Sequence, residues 1–234
     1  MVKIVVLDLD MTLIDTLERF FIVYNTTREI FGLNKISKEE FMHYFKNDML
    51  DPIIPENINK MNFWKTFRTL YGNVFTHKDK PIEGAIEVLK WLKKNNYRVI
   101  VTTGREIDPE KIWAELKEYN MAEYVDEVYT IKQQKPEDEH IPFSRKGILN
   151  EILQKYGVNP EDVVFVGDYW VDMEAGKAVG VKTVGVLTGL KTEELLRKHG
   201  ADIVINGIWD LPKVLSSFPH KKIAESSRHH KPEK

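Results

Sequence analysis

Six short apolar runs, each separated from the next by a longer stretch with helical periodicity, constrain this fold more than any other feature of the sequence. Residues 3–7 form the first, rich in Val and Ile, and 98–101, 163–166 and 182–186 are similar. Residues 125–131 and 202–205 give fainter versions. Because these runs are apolar throughout and do not alternate with polar residues, they read as strands buried on both faces, which is the pattern of a parallel sheet. Between them lie helical segments. Residues 82–95 place Ile86, Leu89 and Leu92 among charges, and 109–119 follow Asp108 as N-cap with Pro109 in the first turn. Residues 144–156 start at Ser144 as cap and end at Gly157, a C-cap residue. Residues 172–179 and 192–198 complete the set. Strand and helix in alternation predict an α/β fold, a Rossmann-like three-layer α/β/α core around a parallel sheet.

The alternation fails between residues 15 and 80. That stretch holds three helical patterns, 17–31, 37–46 and 59–71, dense in Phe, Tyr, Met and Trp, and no buried strand. It reads as an α-helical domain inserted after the first strand, its aromatic stripe forming a core of its own. The expected organisation is therefore a core of residues 1–14 and 81–218 and a helical insert of 15–80. The polar, basic, aperiodic residues 219–234, with His220, His229 and His230, are expected to be a disordered tail. A formal charge of −2 gives no global field for nucleic acid or membrane, and no apolar run approaches a membrane span. The opening residues do not resemble a signal peptide, so a cytoplasmic location is expected. Zero Cys removes thiolate nucleophiles and Cys-based zinc sites.

A parallel α/β sheet presents ligands at the carboxyl ends of its strands. The first strand ends in Asp8-Leu9-Asp10, the second in Thr102-Thr103-Gly104-Arg105, and the fourth in Gly167-Asp168 with Asp172 beyond. Carboxylates converging from two strand ends repel one another unless a cation neutralises them, and hard oxygen donors without Cys or clustered His suit Mg²⁺. Phosphoryl transfer needs these parts: an Asp nucleophile, an acid to protonate the leaving oxygen, a metal, a hydroxyl donor and a positive point charge. Asp8, Asp10 and Thr102 are candidates for the nucleophile, acid and hydroxyl donor, and a Lys for the charge. Arg105 fits a substrate contact and a salt bridge about equally well. Arg19, Arg28, His43, Lys46, Lys65 and Arg68 of the insert read mostly as solvated surface.

These residues resemble the haloacid dehalogenase superfamily, in its branch of phosphoglycolate phosphatase-like enzymes with a small helical cap. Residues 8–15 look like the family's Asp-x-Asp-Gly-Thr-Leu segment, 99–102 like its strand ending in Thr or Ser, and 166–172 like its Gly-Asp followed by a second Asp. Residues 81–85 resemble the re-entry from cap to core, and 201–211 the closing strand and helix. The resemblance implies a phosphatase acting on a small phosphorylated metabolite, as a monomer or homodimer. It assigns Asp8 as nucleophile and Mg²⁺ ligand, and Asp10 as acid/base whose backbone carbonyl also ligates Mg²⁺. Asp168 would be the second carboxylate on the metal, and Asp172 its support. Thr102, Thr103 and Lys146 would bind phosphate, Lys146 being favoured over Lys135 by its spacing to Asp168. A sugar phosphomutase of the same superfamily shares both Asp residues. A dehalogenase does not use the second Asp, so Asp10 argues against that activity. A binding protein without turnover has one support: Met11 stands where the family usually has Gly, a residue that permits conformations closed to Met.

Overall fold

The computed structural model describes residues 2–138 and 141–218, so the expectation for the tail at 219–234 lies outside the described residues. Strand β1 (Ile4–Asp8) leads into a two-residue strand β2 (Ile14–Asp15), the helices α1 (Leu17–Ile30), α2 (Lys38–Lys46) and α3 (Lys60–Tyr71), and a short return strand β3 (Lys80–Pro81). Helix and strand then alternate: α4 (Ala85–Lys94), β4 (Arg98–Thr103), α5 (Pro109–Glu118), β5 (Glu127–Thr130), α6 (Lys146–Tyr156), β6 (Val163–Gly167), α7 (Trp170–Val179), β7 (Lys182–Val186), α8 (Glu193–Lys198), β8 (Ile203–Ile205) and α9 (Leu211–Ser217).

Six strands pair in parallel in the order β5-β4-β1-β6-β7-β8. The chain winds outward from β1 to β5, crosses back, and winds the other way from β6. The direction reverses between β1 and β6, where the loops at the carboxyl ends part and leave a crevice. All five residues of β1 are buried. Alternate residues serve opposite faces: Val5 and Leu7 pack with Leu89 of α4, Ile112 of α5 and Leu215 of α9, whereas Ile4 and Val6 pack with Leu149 and Ile152 of α6. Two buried faces explain why the strand is apolar throughout, each such side chain contributing about 1.5–3 kcal/mol.

Helices α1, α2 and α3 have a separate core of Val23, Tyr24, Phe41, Phe45, Phe63 and Phe67. The sequence sets their starts. Ser37 and Glu40 form a reciprocal capping box on α2, and the Asn59 side chain caps α3. The chain enters and leaves this helical layer through an antiparallel ribbon pairing Ile14 with Pro81 and Asp15 with Lys80. Two caps differ from expectation. The N-cap of α6 is Arg145, and Ser144 accepts only a long bond from the Lys146 N–H at 3.4 Å. Asp108 caps α5 by position, but its carboxylate accepts from Lys132 at 2.7 Å instead of from the helix. Gly157 closes α6 with φ of 57°, in the left-handed region that glycine enters freely. No helix among the described residues is long and apolar enough to cross a membrane.

Candidate active site

Asp8 is the last residue of β1 and stands in register with Thr102 of the neighbouring β4. Asp168 directly follows β6, and Asp172 lies in the first turn of α7. One carboxylate oxygen from each of Asp8, Asp168 and Asp172 lies within 4.8 Å of the others, and all three residues are buried. Two glycines make that approach possible: a Cβ at Gly167 would collide with the Asp172 carboxylate, and one at Gly189 with that of Asp168. Arg145 reaches in from the start of α6, its Nη2 donating to Asp8 Oδ1 at 2.8 Å and to Asp172 Oδ1. Burial, followed by repulsion from the neighbouring carboxylates, raises the Asp8 carboxyl well above its usual range despite Arg145. Burial and Asp172 push Asp168 up to about 8, against the pull of Lys191 and Arg145. Carboxylates so poorly compensated, offering only hard oxygen donors, fit a divalent cation such as Mg²⁺.

Asp10 has a different environment. Its carboxylate accepts from Arg105 Nη2 at 2.6 Å and Nε at 3.1 Å, from Thr103 Oγ1 at 3.0 Å and from Thr16 Oγ1 at 3.1 Å. The Tyr71 hydroxyl of α3 lies 3.1 Å from it. Burial alone would raise Asp10, but the charge and hydrogen bonds of Arg105 outweigh it and hold the carboxyl at about 2. The pairing continues outward. Arg105 also binds Glu115 of α5, and Arg19 of α1 donates at 2.7 Å to both Glu115 and Asp79.

The structure therefore brings together Asp8, Asp168, Asp172 and, beside them, Asp10. Thr102 is fully buried and its hydroxyl has no hydrogen-bond partner, as is also true of Thr12. Such an orphan beside a carboxylate is an unspent donor. Thr103, expected on phosphate, donates to Asp10. Lys146 is half-buried and does not line the cavity above Asp8; the cation reaching Asp8 comes from Arg145, one residue earlier. Lys135 is exposed. Arg19, read as surface, is fully buried. Arg105 resolves toward the salt bridge. Tyr71, Asp79 and Glu115, which extend the Asp10 network, carry no local sequence signal for it, since Tyr71 lies 61 residues from Asp10, and Arg19 lies 60 from Asp79 and 96 from Glu115.

Above the carboxylates is a cavity of about 520 Å³ lined by both the helical layer and the sheet's loops. Met11 lines it with φ of 59°, so the residue occupies the left-handed region that glycine would enter without strain.

The sequence model of haloacid dehalogenase-like hydrolases matches residues 5–186, a span that contains every one of these strand-end carboxylates. The chain belongs to the haloacid dehalogenase-like hydrolase family. It is 25% identical over 230 residues to pyrophosphatase PpaX of Bacillus pumilus, covering 92% of this chain and 97% of that one. Over 132 residues, 55% of this chain and 44% of the relative, it is 30% identical to phosphoglycolate phosphatase 1 of Pseudomonas aeruginosa. A haloacid dehalogenase-like family hydrolase from Streptococcus pneumoniae superposes with a TM-score of 0.72 at 15% identity, covering 92% of this chain and 98% of that one. At that identity the likeness speaks for the fold alone.

Proposed function

We propose that this haloacid dehalogenase-like hydrolase is a Mg²⁺-dependent phosphatase that hydrolyses a small phosphomonoester through a covalent aspartyl phosphate on Asp8. The observation that carries the reading is the buried Asp8–Asp168–Asp172 cluster at the sheet's reversal point, with Arg145 on Asp8. Asp8, Asp168 and Asp172 would hold the metal, together with the Asp10 backbone carbonyl. Bound there, Mg²⁺ supplies charge neutralisation for the carboxylates and the phosphoryl oxygens.

In the first step an Asp8 carboxylate oxygen attacks phosphorus, and the bond from phosphorus to the leaving oxygen breaks. Arg145, a guanidinium fork already on Asp8, balances the charge spread over the phosphoryl oxygens. The unpartnered Thr102 hydroxyl supplies a hydrogen bond to the same group. Asp10 gives a proton to the leaving oxygen, then takes one from the water that cleaves the acyl phosphate and frees Asp8. Arg105 holds Asp10 ionised in the state described above, so the acid role requires this pair to loosen as substrate enters. The helical layer, residues 15–80, acts as a cap that excludes water. The reading places the enzyme in the cytoplasm, as a monomer or homodimer.

The test is phosphate release from a broad panel of phosphomonoesters with and without Mg²⁺. Turnover should require Mg²⁺, and Asp8→Asn should lower it on the order of 10⁴-fold or more with the fold intact. A folded protein that releases no phosphate from any monoester, or an Asp8→Asn variant at wild-type rate, overturns the proposal. Conversion of a sugar 1-phosphate to its 6-phosphate without free phosphate would identify a phosphomutase.

A further inference from the structure

Resting on the phosphatase reading, we infer that the leaving group is an uncharged aromatic one, so that the substrate class is aryl phosphomonoesters and not small substrates that carry a second anionic group, such as phosphoglycolate or pyrophosphate. The cavity above Asp8 carries the argument. Its volume of about 520 Å³ is far larger than a two-carbon acid or a second phosphate can fill. Its upper wall is aromatic. Phe20 and Phe67 of the helical layer lie 4.6 Å apart between ring centres, Trp64 is 5.4 Å from Phe67, and Phe143 of the core stands 6.0 Å from Trp64. Trp170 at the start of α7 faces the same space. The polar ends of both indoles are already engaged, Trp64 Nε1 donating to Asp51 at 2.8 Å and Trp170 Nε1 to Asp48 at 2.7 Å. What they offer the cavity is apolar ring surface, which pairs well with a planar aromatic guest.

A second anion has no counterpart among the described residues. Four cations among them line the cavity, and each is engaged. Arg105 is on Asp10 and Glu115, and Arg145 is on Asp8 and Asp172. Lys191 lies 3.4 Å from Asp48 and donates to the Phe45 carbonyl. Arg68 lies 3.9 Å from Glu106 and over the Phe143 ring. Asp48 and Asp51 also stand on the wall, where they repel a carboxylate or a distal phosphate. Phe143 adopts φ of 71°, an unusual backbone for a bulky residue, which cavities that bind ligands often retain.

The experiment compares kcat/KM for 1-naphthyl phosphate, ethyl phosphate, phosphoglycolate and pyrophosphate, all with Mg²⁺. Naphthyl phosphate should exceed phosphoglycolate and pyrophosphate by about 100-fold, the scale set by burying several ring carbons. Trp64→Ala should lower the ratio of naphthyl to ethyl phosphate by about 10-fold, and Trp64→Phe should restore most of it. A charged small substrate that equals or surpasses naphthyl phosphate overturns the inference while the phosphatase reading stands. If neither these compounds nor any monoester of the broad panel is turned over, the phosphatase reading fails and binding of 1-naphthol decides. Saturable quenching of tryptophan fluorescence, weakened in Trp64→Ala, upholds the aromatic site, and absence of binding overturns it.

Discussion

Two buried charge clusters flank the end of β1, and they are built to opposite rules. In the first, Asp8 and Asp172 share one guanidinium, Arg145, while Asp168 feels Lys191 and Arg145 through space. Asp10, Glu115 and Asp79 share two, Arg105 and Arg19, with Thr16, Thr103 and the Tyr71 hydroxyl adding hydrogen bonds or close polar contacts. Burial weighs heavily on both Asp168 and Asp10. It wins in the first cluster, where Asp168 rises to about 8, and loses in the second, where Asp10 falls to about 2. Direct pairing decides the sign: Arg105 sits on Asp10, whereas Lys191 and Arg145 act on Asp168 only through space. A cluster short of positive charge is poised for a metal ion and an anionic substrate. A compensated one acts as a fastener: it ties α1, the segment before β3, and α5 to the loop after β4.

The largest expected effect comes from breaking the first cluster. Arg145→Ala leaves Asp8 and Asp172 without their guanidinium and should lower turnover by about 10³-fold. Lys146→Ala should change it by less than about threefold, as expected for a half-buried residue off the cavity. Steady-state kinetics on the two variants separates these neighbours. Equal losses would mean that the lysine also reaches the transferring group.

Breaking the second cluster should show in stability first. Glu115→Gln removes the carboxylate that both Arg19 and Arg105 bind, leaving buried cations short of a partner. A loss of about 3–5 kcal/mol is expected, lowering the melting temperature by about 6–20 °C. Arg105→Met should cost a similar amount. It should also release Asp10 from its depressed value, moving the acidic limb of the kcat profile to higher pH. A melting curve unchanged in both variants would mean that the network fastens nothing.

The contrast between these clusters explains how much was legible in the sequence. Buried parallel strands must be apolar on both faces, so their runs stood out, and the aspartates that end them could be read as one edge. The pairing of Arg19 with Glu115 and of Arg105 with Asp10 spans 96 and 95 residues, and no local pattern reports it. Arg19 therefore read as surface. That Arg145, and not Lys146, is the residue on Asp8 has a different reason. The start of α6 was taken from Ser144, but the N-cap is Arg145, and neighbouring residues at a helix start point in different directions. The aromatic stripe of the insert was read as a core, and it is one. That its rings also wall a cavity follows from the packing of the helices over the sheet.

A pH titration sharpens the comparison at smaller amplitude. In the metal-free protein the raised carboxylates hold protons that their unfolded counterparts lose near pH 4. Stability gained from them is complete below that value and declines as pH rises toward about 8, where Asp168 ionises. The metal-free melting temperature should thus fall between pH 5 and pH 8, by about 5 °C or more. Mg²⁺ needs the ionised form, so its stabilising shift should be larger at pH 8 than at pH 6. Calorimetry over this range checks both signs. Asp10 should contribute nothing here, because it stays ionised throughout.

The smallest effect is expected at Met11, which lies between the two clusters. Its φ of 59° costs about 1–2 kcal/mol for a residue with a side chain, and glycine would relieve that. Against this, Met11 is 6% exposed, and losing its buried side chain costs about 1.5–3 kcal/mol. Its carbonyl accepts from Thr188 at 2.6 Å, a bond that survives any substitution holding the same backbone. The two contributions nearly cancel, so Met11→Gly should move the melting temperature by no more than about 4 °C in either direction. Met11→Ala keeps the strain and loses the side chain, so it should melt below both. If Met11→Ala were instead the more stable of the two variants, the left-handed backbone would not be held by the fold around it, and the loop between the clusters would be free to bend.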